Sequence, residues 1–469
     1  MFHSIDEQAI IAQCTPRGSG AIALLRLSGL NAISIAQKIS KLASGKTFQE
    51  LPTHTIHYGY IVDSNDNHID HVLFFLMHAP QTFTGQDTVE ISCHNNQFII
   101  EEIITLIVRA GARMAQQGEF TKRAVLNDKI DLVQAEAINE LINAQTQVAL
   151  KKSLEQLKGS FSYWVASIEK QLIKALALSE ASFEFLDEEM EFAPQIQEII
   201  YSIQTTITAV KKTFNQQQQI RQGIRVAIIG SVNAGKSSLF NALLNQERAI
   251  VTAIAGTTRD VIEATLTKNG NFWTVVDTAG LRQTNDVIEQ EGIRRSFEEA
   301  HKADIILLVY DNSREITREE KQVYEQFAEQ YASKIITVFT KSDTLESLDL
   351  TLARSITQSL EQTTRNPILV SSKTKQNIET LEQIIEKKIS NLFESIESPF
   401  LLNQRQHQLL IALEATLVQI NQQLSNKPIA YELLSIHIQD AIVHLAEITG
   451  KSVSEAGMDA VFREFCVGK

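Results

Sequence analysis

Cysteine, proline and glycine are scarce in this chain of 469 residues, which contains 3 Cys, 7 Pro and 19 Gly. The cysteines, Cys14, Cys93 and Cys466, are odd in number and far apart, so they match neither a disulfide framework nor a zinc-ligand spacing. This usage is typical of a protein in a reducing compartment. Because helix-breaking residues are few, we also expect long helices.

The chain also lacks long apolar runs and an excess of positive charge. Residues 1–7 contain no basic region followed by an apolar core, and no run approaches the ~20 apolar residues of a membrane span. We therefore expect a cytoplasmic protein without a membrane segment. The formal net charge of −13 argues against broad non-specific binding to nucleic acid, but it leaves room for a local basic patch or a basic partner.

What the sequence does contain predicts roughly three domains, at about 150 residues each. Apolar runs in the first 125 residues alternate with helical spacing, which indicates a mixed α/β domain. The predicted strands of this domain are residues 22–27, 71–77 and 88–92, and its predicted helices are residues 32–42 and 98–110.

Two helical segments flank a segment that alternates strand and helix patterns. In the first, one stripe at helical spacing predicts a bundle core: Leu154, Leu157, Phe161, Trp164, Ile168 and Leu172. The middle segment has predicted strands at residues 224–229, 272–276, 304–310, 334–339 and 367–370, as in a doubly wound domain that binds ligand at the carboxyl ends of its strands. One helical domain interrupted by an inserted α/β domain is the simplest interpretation.

Residues 230–238, Gly-Ser-Val-Asn-Ala-Gly-Lys-Ser-Ser, match G-x-x-x-x-G-K-[ST] between a strand pattern and a helix pattern. In such a loop the glycines let backbone N–H groups converge on a phosphate, and the helix N-terminus adds positive partial charge. Lys236 is then expected to reach the β- and γ-phosphates, and the Ser237 hydroxyl to bind Mg²⁺. A chance glycine-rich turn is the alternative, and the motifs that follow weigh against it.

Four further elements occur in the order that a GTPase needs: Gly256-Thr257-Thr258-Arg259-Asp260, Asp277-Thr278-Ala279-Gly280, Thr340-Lys341-Ser342-Asp343 and Ser371-Ser372-Lys373. The first can sense the γ-phosphate, and Asp277 can hold Mg²⁺ through water. The two carboxylate oxygens of Asp343 match N1–H and the 2-amino group of guanine, whereas adenine would leave the carboxylate unpaired. The set therefore predicts GTP binding.

Leu281 stands where Ras-like enzymes carry the Gln that orients the attacking water, and leucine cannot hydrogen-bond water. Glu289, in the following loop, is a candidate for that role, although an exposed loop acid explains it equally well. The carbonyl oxygen of the Asn233 side chain could hold a monovalent cation beside the phosphates. Such a cation would supply the positive charge for which the sequence identifies no arginine finger.

Taken together, the chain resembles the MnmE (TrmE) family of tRNA-modification GTPases. The most specific sign outside the GTPase motifs is the ending Cys466-Val467-Gly468-Lys469, and residues 12–18, 25–29, 83–87, 118–124 and 126–132 also match. The resemblance implies a multidomain fold, α/β plus all-α. In order, it implies a folate-binding-like α+β domain in residues 1–125, a helical domain in 126–221 and 389–469, and an inserted Ras-like P-loop GTPase domain in 222–388.

The resemblance implies a function as well. Members of this family dimerise through their N-terminal domains and bind 5-formyl- or 5,10-methylene-tetrahydrofolate. With the flavoprotein MnmG, which carries FAD and most of the tRNA-binding surface, they add an aminomethyl or carboxymethylaminomethyl group at C5 of the wobble uridine (position 34) of certain tRNAs. In the family, K⁺ drives association of two GTPase domains and so activates hydrolysis.

Site residues follow from matching the family's motifs. The implied K⁺ ligands are Asn233, Thr252, Ile254 and Thr257, the Mg²⁺ ligands are Ser237 and Thr258, and the catalytic residues are Asn233, Lys236 and Glu289. The implied folate contacts are Arg26, Glu90, Lys129 and Lys469, for each of which a structural salt bridge is the alternative. The implied GTP-binding residues are Asn233, Ala234, Gly235, Lys236, Ser237, Ser238, Thr252, Ala253, Ile254, Ala255, Gly256, Thr257, Thr258, Asp277, Thr278, Ala279, Gly280, Thr340, Lys341, Ser342, Asp343, Ser371, Ser372 and Lys373.

Two departures from the family pattern carry expectations of their own. The family usually has Asn at the position of Thr340, and a hydroxyl replaces only part of an amide's bonding, so weaker nucleotide affinity is expected. The family's His-Gly-Gly is His94-Asn95-Asn96 here, and asparagine tolerates a positive φ better than it tolerates a close approach of ligand. Cys466 is either a reactive thiol or an inert terminal one.

A different functional class remains open. A GTPase can serve only as an assembly or ribosome-binding switch, with no direct role in tRNA modification, and Leu281 suits that class equally well. The folate-like N-terminal domain and the Cys-Val-Gly-Lys ending favour the tRNA-modifying enzyme, because a pure switch needs neither.

Overall fold

The computed structural model describes residues 7–184, 192–214, 217, 221, 223–244, 262–268, 271–277, 288–344, 367–394 and 399–468. The chain forms two compact units. The first contains residues 1–142, 154–208 and 403–469, and the second contains residues 143–153 and 209–402. The domain boundaries predicted at residues 125, 221 and 388 are a different division of the chain, and they stay predictions.

The strands, in chain order, are β1 (Ile10–Gln13), β2 (Ile22–Ser28), β3 (Ser40–Leu42), β4 (Thr55–Val62), β5 (His68–Met77), β6 (Thr88–His94), β7 (Arg113–Met114), β8 (Ile224–Gly230), β9 (Ile262–Lys268), β10 (Asn271–Asp277), β11 (Ile305–Asp311), β12 (Ile335–Thr340) and β13 (Ile368–Leu369). The predicted strands are therefore present, with ends shifted by a few residues.

The helices are α1 (Ala32–Lys38), α2 (Gln97–Arg109), α3 (Glu119–Leu126), α4 (Leu132–Asn143), α5 (Gln147–Leu157), α6 (Ser160–Glu184), α7 (Ala193–Lys212), α8 (Lys236–Leu244), α9 (Ile288–Lys302), α10 (Arg318–Tyr331), α11 (Ile378–Glu394), α12 (Gln404–Ser425), α13 (Tyr431–Thr449) and α14 (Glu455–Phe462). Short 3-10 helices cover Phe48–Glu50 and Ser342–Thr344. Among the described residues, none of these helices combines the length and the apolarity needed to cross a membrane.

In the first unit, seven strands form one sheet in the order β3-β4-β5-β6-β2-β1-β7. Neighbouring strands run antiparallel except β1 and β7. Alternation along β2 turns Ala23, Leu25 and Leu27 toward one face, where they pack with residues of α1 and α2 in a single core. Arg26 and its register partner Glu90 on β6 consequently lie on the opposite face.

The helical part of the first unit joins segments from both sides of the α/β sequence, because α13 packs against both α6 and α12. A buried ion pair ties these segments together. Glu136 on α4, which is 7% exposed, accepts bonds from Arg405 Nε at 2.6 Å and Arg405 Nη2 at 2.8 Å. Arg405 also donates to the carbonyl oxygens of Glu447 and Ile448, which end α13.

The last residues of the chain pack against the N-terminal sheet and α3. Gln117 and Val467 form an antiparallel bridge, and the Gly118 N–H donates to the Cys466 carbonyl oxygen at 3.3 Å. The Cys14 thiol donates to the Gly468 carbonyl oxygen at 3.2 Å. A Cβ on Gly468, whose φ is 97°, would lie 2.6 Å from the Gln13 carbonyl oxygen, so only glycine fits there.

In the second unit, six strands form a sheet in the order β13-β12-β11-β8-β10-β9, parallel except for β9. β8, β11 and β12 are buried almost throughout, as expected for parallel strands covered on both faces. The two faces carry separate cores, one with residues of α8 and α11 and the other with residues of α9 and α10. The parallel strands therefore end together at one edge of the sheet, where the predicted motifs follow them.

Two predictions about helices were wrong. The helix predicted at residues 32–42 ends at Lys38, and residues 40–42 form β3 because Ser40 and Leu42 alternate into the core. The single stripe predicted across residues 154–172 is divided between α5 and α6, with Gly159 at a φ of 94° between them. Phe161, Ile168 and Leu172 are buried as predicted, whereas Leu154 is 42% exposed.

Candidate functional site

The predicted phosphate loop joins β8 to α8 at the carboxyl edge of the second sheet. Gly230 ends the strand, where a Cβ would clash with the carbonyl oxygen of Val309 on β11, so glycine allows the two strands to meet. Within the loop, Asn233 has a φ of 63° and Gly235 a φ of 86°. These left-handed residues curl the backbone between strand and helix, as a phosphate cradle requires.

Lys236, the first residue of α8, is 7% exposed and spans the loop from inside. Its Nζ donates to the Gly230 carbonyl oxygen at 2.7 Å and to the Ser231 carbonyl oxygen at 2.6 Å. The ammonium group is thus held at the centre of the loop, where a phosphate would meet it. Ser237 and Ser238 follow in the first turn of α8, whose N–H groups point toward the same place.

The predicted base-recognition residues follow β12 and β13. Asp343 lies in the 3-10 helix after β12, and its Oδ1 accepts a bond from the Ser371 hydroxyl at 2.6 Å. This bond is the largest cause of a lowered pKa of Asp343. A carboxylate that is ionised and oriented can accept two hydrogen bonds from a guanine edge. Ser372 and Lys373 continue the same loop.

Thr340 joins the base-recognition loop to the phosphate loop. Its hydroxyl lies 2.6 Å from the Ala234 carbonyl oxygen and 3.0 Å from the Tyr310 carbonyl oxygen. Threonine therefore makes a bond to the phosphate loop with its single hydroxyl. The next residue, Lys341, has a φ of 59°. Its Nζ donates to Asp311 Oδ2 at 2.6 Å, and this bond holds the turn against the end of β11.

Several predicted residues cannot be compared with the structure. Thr252, Ala253, Ile254, Ala255, Gly256, Thr257, Thr258, Thr278, Ala279, Gly280, Leu281 and Lys469 lie outside the described residues. Asp277 ends β10, but only its backbone is described. Glu289, expected in a loop, lies in the first turn of α9, and its side chain is likewise not described.

The predicted folate contacts in the first unit include one close pair. Arg26 Nε donates to Glu90 Oε1 at 2.7 Å, and both side chains are about one-fifth exposed, at 21% and 17%. The Arg26 guanidinium also lies 5.8 Å from the ring centroid of Phe83 and 5.6 Å from that of Phe120. Phe120 is fully buried and packs behind the guanidinium, whereas Phe83 is 40% exposed, so the charged pair offers hydrogen bonds at its edges and one accessible ring beside it.

Lys129 belongs to the same neighbourhood through the loop between β5 and β6. Its Cε lies 3.0 Å from the position that a Cβ on Gly85 would take, and Gly85 has a φ of 76°. Asn127 Nδ2 donates to the Thr84 carbonyl oxygen at 2.6 Å, which holds the loop beside the lysine. The loop therefore contacts Arg26 through Phe83 and Lys129 through Gly85.

The departure at Asn95 and Asn96 is accommodated without a left-handed backbone. Asn96, with a φ of −116°, accepts from the Phe98 N–H and caps α2. Asn95 Nδ2 donates to the Gly18 carbonyl oxygen at 2.8 Å, so it fastens the glycine-rich loop that precedes β2. Neither asparagine is among the residues with positive φ.

Sequence motifs missed two side chains that contact the phosphate loop. The Tyr324 hydroxyl on α10 accepts from the Ser231 N–H at 2.9 Å, and Arg314 Nη2 lies 3.3 Å from the Ser231 hydroxyl. Both are more than 80 residues away along the chain, and no local pattern marks them. The sequence signal for Tyr324 is weak: a tyrosine stands at an apolar position of a helix, which indicates that its hydroxyl has a partner inside the protein.

Comparison with known proteins finds two family models. The model described as the MnmE helical domain matches residues 132–466, and the model described as the GTP-binding protein TrmE N-terminus matches residues 9–129. The proteins named tRNA modification GTPase MnmE are similar along their whole length. That of Flavobacterium johnsoniae is 35% identical over 473 residues, covering 99% of this chain and 100% of the relative. That of Aquifex aeolicus is 37% identical over 466 residues, covering 98% and 100%.

Among solved structures, the chain is similar to a variant of Aquifex aeolicus Era bound to GDP.AlF4-. The sequences are 25% identical, the TM-score is 0.30, and the match covers 35% of this chain and 56% of that chain.

Proposed function

Because the chain belongs to the MnmE family of tRNA modification GTPases, we propose that it is a K⁺-activated GTPase that modifies the wobble uridine of certain tRNAs. GTP hydrolysis and tRNA modification are the activities of the family. The observation that carries the nucleotide site is the hydrogen bond from Thr340 to the Ala234 carbonyl oxygen, which joins the two halves of the binding site.

The proposed GTP site uses residues at the carboxyl edge of the second sheet. Lys236 and the N–H groups of the loop bind the phosphates, and the Asp343 carboxylate accepts from guanine. Ser371 supports this role, because its hydroxyl orients the Asp343 carboxylate through Oδ1. Each carboxylate oxygen still has a lone pair free to accept from the base. Ser237 and Thr258 are the proposed Mg²⁺ ligands, and a hydroxyl oxygen in the first turn of α8 suits that hard cation.

The proposed K⁺ site lies beside the phosphates and uses Asn233, Thr252, Ile254 and Thr257. Asn233 supports it, because its left-handed backbone places an amide side chain at the exposed rim of the loop. K⁺ would supply positive charge near the transferred phosphoryl group. Glu289, in the first turn of α9, is the proposed group that orients the attacking water. Leu281 cannot take this role, because leucine offers no hydrogen bond.

The proposed cofactor of the first unit is a one-carbon tetrahydrofolate, in the 5-formyl or 5,10-methylene form. Glu90 would accept from the N–H groups of the pterin, and Arg26, Lys129 and Lys469 would bind its carboxylates or formyl oxygen. The Arg26–Glu90 pair fits this role, because the exposed ring of Phe83 lies beside it. When bound, the folate supplies the one-carbon unit.

The proposed assembly is a homodimer joined through the folate-binding-like N-terminal domains, with the GTPase domain inserted in the helical domain. The proposed partner is the flavoprotein MnmG, which would bring FAD and most of the tRNA contacts and form a heterotetramer. A net charge of −13 supports this division of labour, since tRNA phosphates favour a positive surface. The proposed location is the cytoplasm.

The test is nucleoside mass spectrometry of tRNA from cells that lack the gene. We expect C5-modified wobble uridines to disappear and to return on expression of the intact chain, but not of Lys236→Ala. Lys321→Ala, on the exposed surface of α10, is the matched control and should restore them. If the modified uridines persist without the gene, the assembly or ribosome-binding switch becomes the better explanation.

A further inference from the structure

The phosphate loop is anchored at its first residue by a tyrosine from a neighbouring helix. Tyr324, which is 6% exposed, uses its hydroxyl twice: it accepts from the Ser231 N–H at 2.9 Å and donates to the Val309 carbonyl oxygen at 3.0 Å. Gly230 makes this possible, because the missing Cβ lets the chain pass directly over Val309. One hydroxyl therefore bridges the loop and β11.

A second contact reaches Ser231 from the exposed side. Arg314 Nη2 lies 3.3 Å from the Ser231 hydroxyl, while both terminal nitrogens of Arg314 bond the carboxylate of Glu320 on α10. This paired geometry restricts the guanidinium to one plane. The side chain of Ser231 is thus held by a group that is itself fixed to α10.

The far end of the loop is anchored independently. Thr340, at the end of β12, bonds the Ala234 carbonyl oxygen at 2.6 Å. Asn233, the left-handed residue, therefore lies between two fixed points, Ser231 and Ala234. A loop fastened at both ends keeps its N–H groups converged before any phosphate arrives, so less ordering accompanies binding.

We propose that Tyr324 is a positioning residue that preorganises the phosphate loop for the β-phosphate of a guanine nucleotide. This inference rests on the proposal that residues 230–238 bind the phosphates of GTP. Without the hydroxyl, the Ser231 N–H and the Val309 carbonyl oxygen lose their partner inside the protein, and the loop gains freedom at its first residue. The loss falls on phosphate binding, because Asp343 and Ser371 read the base from another loop.

The experiment compares Tyr324→Phe with Tyr331→Phe in the full chain, using fluorescent GDP and GMP. Tyr331 lies two turns further along α10 and packs against Phe327, so its substitution removes the same hydroxyl from the same helix. We expect Tyr324→Phe to raise the Kd for GDP about tenfold, the effect of roughly one lost hydrogen bond, and to change the Kd for GMP less than about twofold. Tyr331→Phe should change neither.

A second variant tests the contact that reaches Ser231 from the exposed side. Arg314→Gln removes the guanidinium contact without altering the core, while Glu320 can still bond the Ser231 hydroxyl, and it should raise the Kd for GDP about threefold. For both variants the rise in KM for GTP should exceed any fall in kcat, because the two side chains act on the loop that binds the phosphates rather than on the reacting atoms.

Unchanged GDP affinity in Tyr324→Phe would overturn the positioning role, as would equal losses for GDP and GMP. Should Tyr324→Phe fail to fold, unprotected hydrogen exchange at the Ser231 N–H of the unmodified, nucleotide-free protein would decide against the proposal, because an N–H held by the hydroxyl is protected. Failure of the unmodified protein to bind GDP would instead overturn the nucleotide site itself.

Discussion

Asn233 presents its side chain at the rim of the phosphate loop, with its backbone in the left-handed region. As the proposed K⁺ ligand it should make GTP hydrolysis depend on the monovalent cation. We expect hydrolysis in K⁺ to exceed that in Na⁺ by about a hundredfold, the lower end of what one group that stabilises developing charge contributes. Steady-state phosphate release measures the rates.

Asn233→Ala should bring the rates in the two salts together. Val232→Ala is the matched control, because Val232 is 72% exposed in the same loop and offers no oxygen in its side chain. Equal rates in K⁺ and Na⁺ for the unmodified protein would contradict the cation assignment.

Glu119 should make stability depend on pH. It is 7% exposed and accepts bonds from Arg113 Nη1 at 2.8 Å and Arg123 Nη2 at 2.9 Å. Burial raises the pKa of this carboxyl, but the bonds from Arg113, the Gln116 N–H and Arg123 outweigh burial, and the net pKa is lowered. A lowered folded-state pKa means that the ionised group stabilises the fold above its unfolded pKa. This stabilisation is lost as the pH falls through the folded pKa.

The measurement is thermal unfolding of the unmodified chain and of Glu119→Gln between pH 7 and pH 3. At pH 7 the variant should be less stable by about 3 kcal/mol, because two guanidinium groups lose a buried counter-charge. The difference should shrink below a pH of about 4.5, where the carboxyl of the unfolded chain takes up a proton. A difference that does not vary with pH would show that the charge does not contribute.

Among the helices, the contacts of Arg405 connect elements that the sequence separates widely. Arg405→Ala would leave the Glu136 carboxylate buried without its main counter-charge, so we expect a loss of about 3–5 kcal/mol in unfolding free energy. Urea denaturation measures it. Lys451→Ala is the control, since it breaks an exposed pair with Glu169 and should cost less than about 1 kcal/mol.

The double variant Glu136→Ala with Arg405→Ala should lose less than the sum of the two single variants, because neither charge is then left alone. Additive losses would mean that the two side chains act separately, and the role of this pair in joining α4 to α12 and α13 would be refuted.

Strands and motifs were predictable from the sequence, whereas the contacts between them were not. The strand β8 and the helix α8 followed from an apolar run and the G-x-x-x-x-G-K-[ST] pattern, since both signals are local. Residues 39–42 were assigned to a helix, because a short apolar run does not distinguish a helix end from an edge strand. The Tyr324–Ser231 bond spans 93 residues and the Arg26–Glu90 bond 64, and periodicity carries no information about either.

At the scale of the whole first unit, the last residues of the chain pack against the end of β1, near Gln13. Gly468→Ala should be destabilising for two reasons: its φ of 97° disfavours a side chain, and the added Cβ would lie 2.6 Å from the Gln13 carbonyl oxygen. We expect a loss of about 3 kcal/mol. Gly45→Ala is the matched control, because Gly45 also has a positive φ, 72°, but has no atom within 4 Å of the added Cβ.

Gly45→Ala should therefore lose only the conformational part, about 1 kcal/mol. Thermal unfolding of both variants gives the comparison. Equal losses would mean that the tail does not pack tightly against the end of β1.

The contact between Cys14 and Gly468 forms late in protein synthesis, because the two residues are 454 positions apart in the chain. A ribosome that adds about 5–20 residues per second needs roughly 20–90 s to make that stretch. From about residue 115 onward the N-terminal sheet has been made, but Gly118 still lacks Phe462 and Phe465, the side chains against which it packs. The first unit therefore cannot complete its packing until these last residues are made, and a ribosome that stalls late in the message leaves it incomplete.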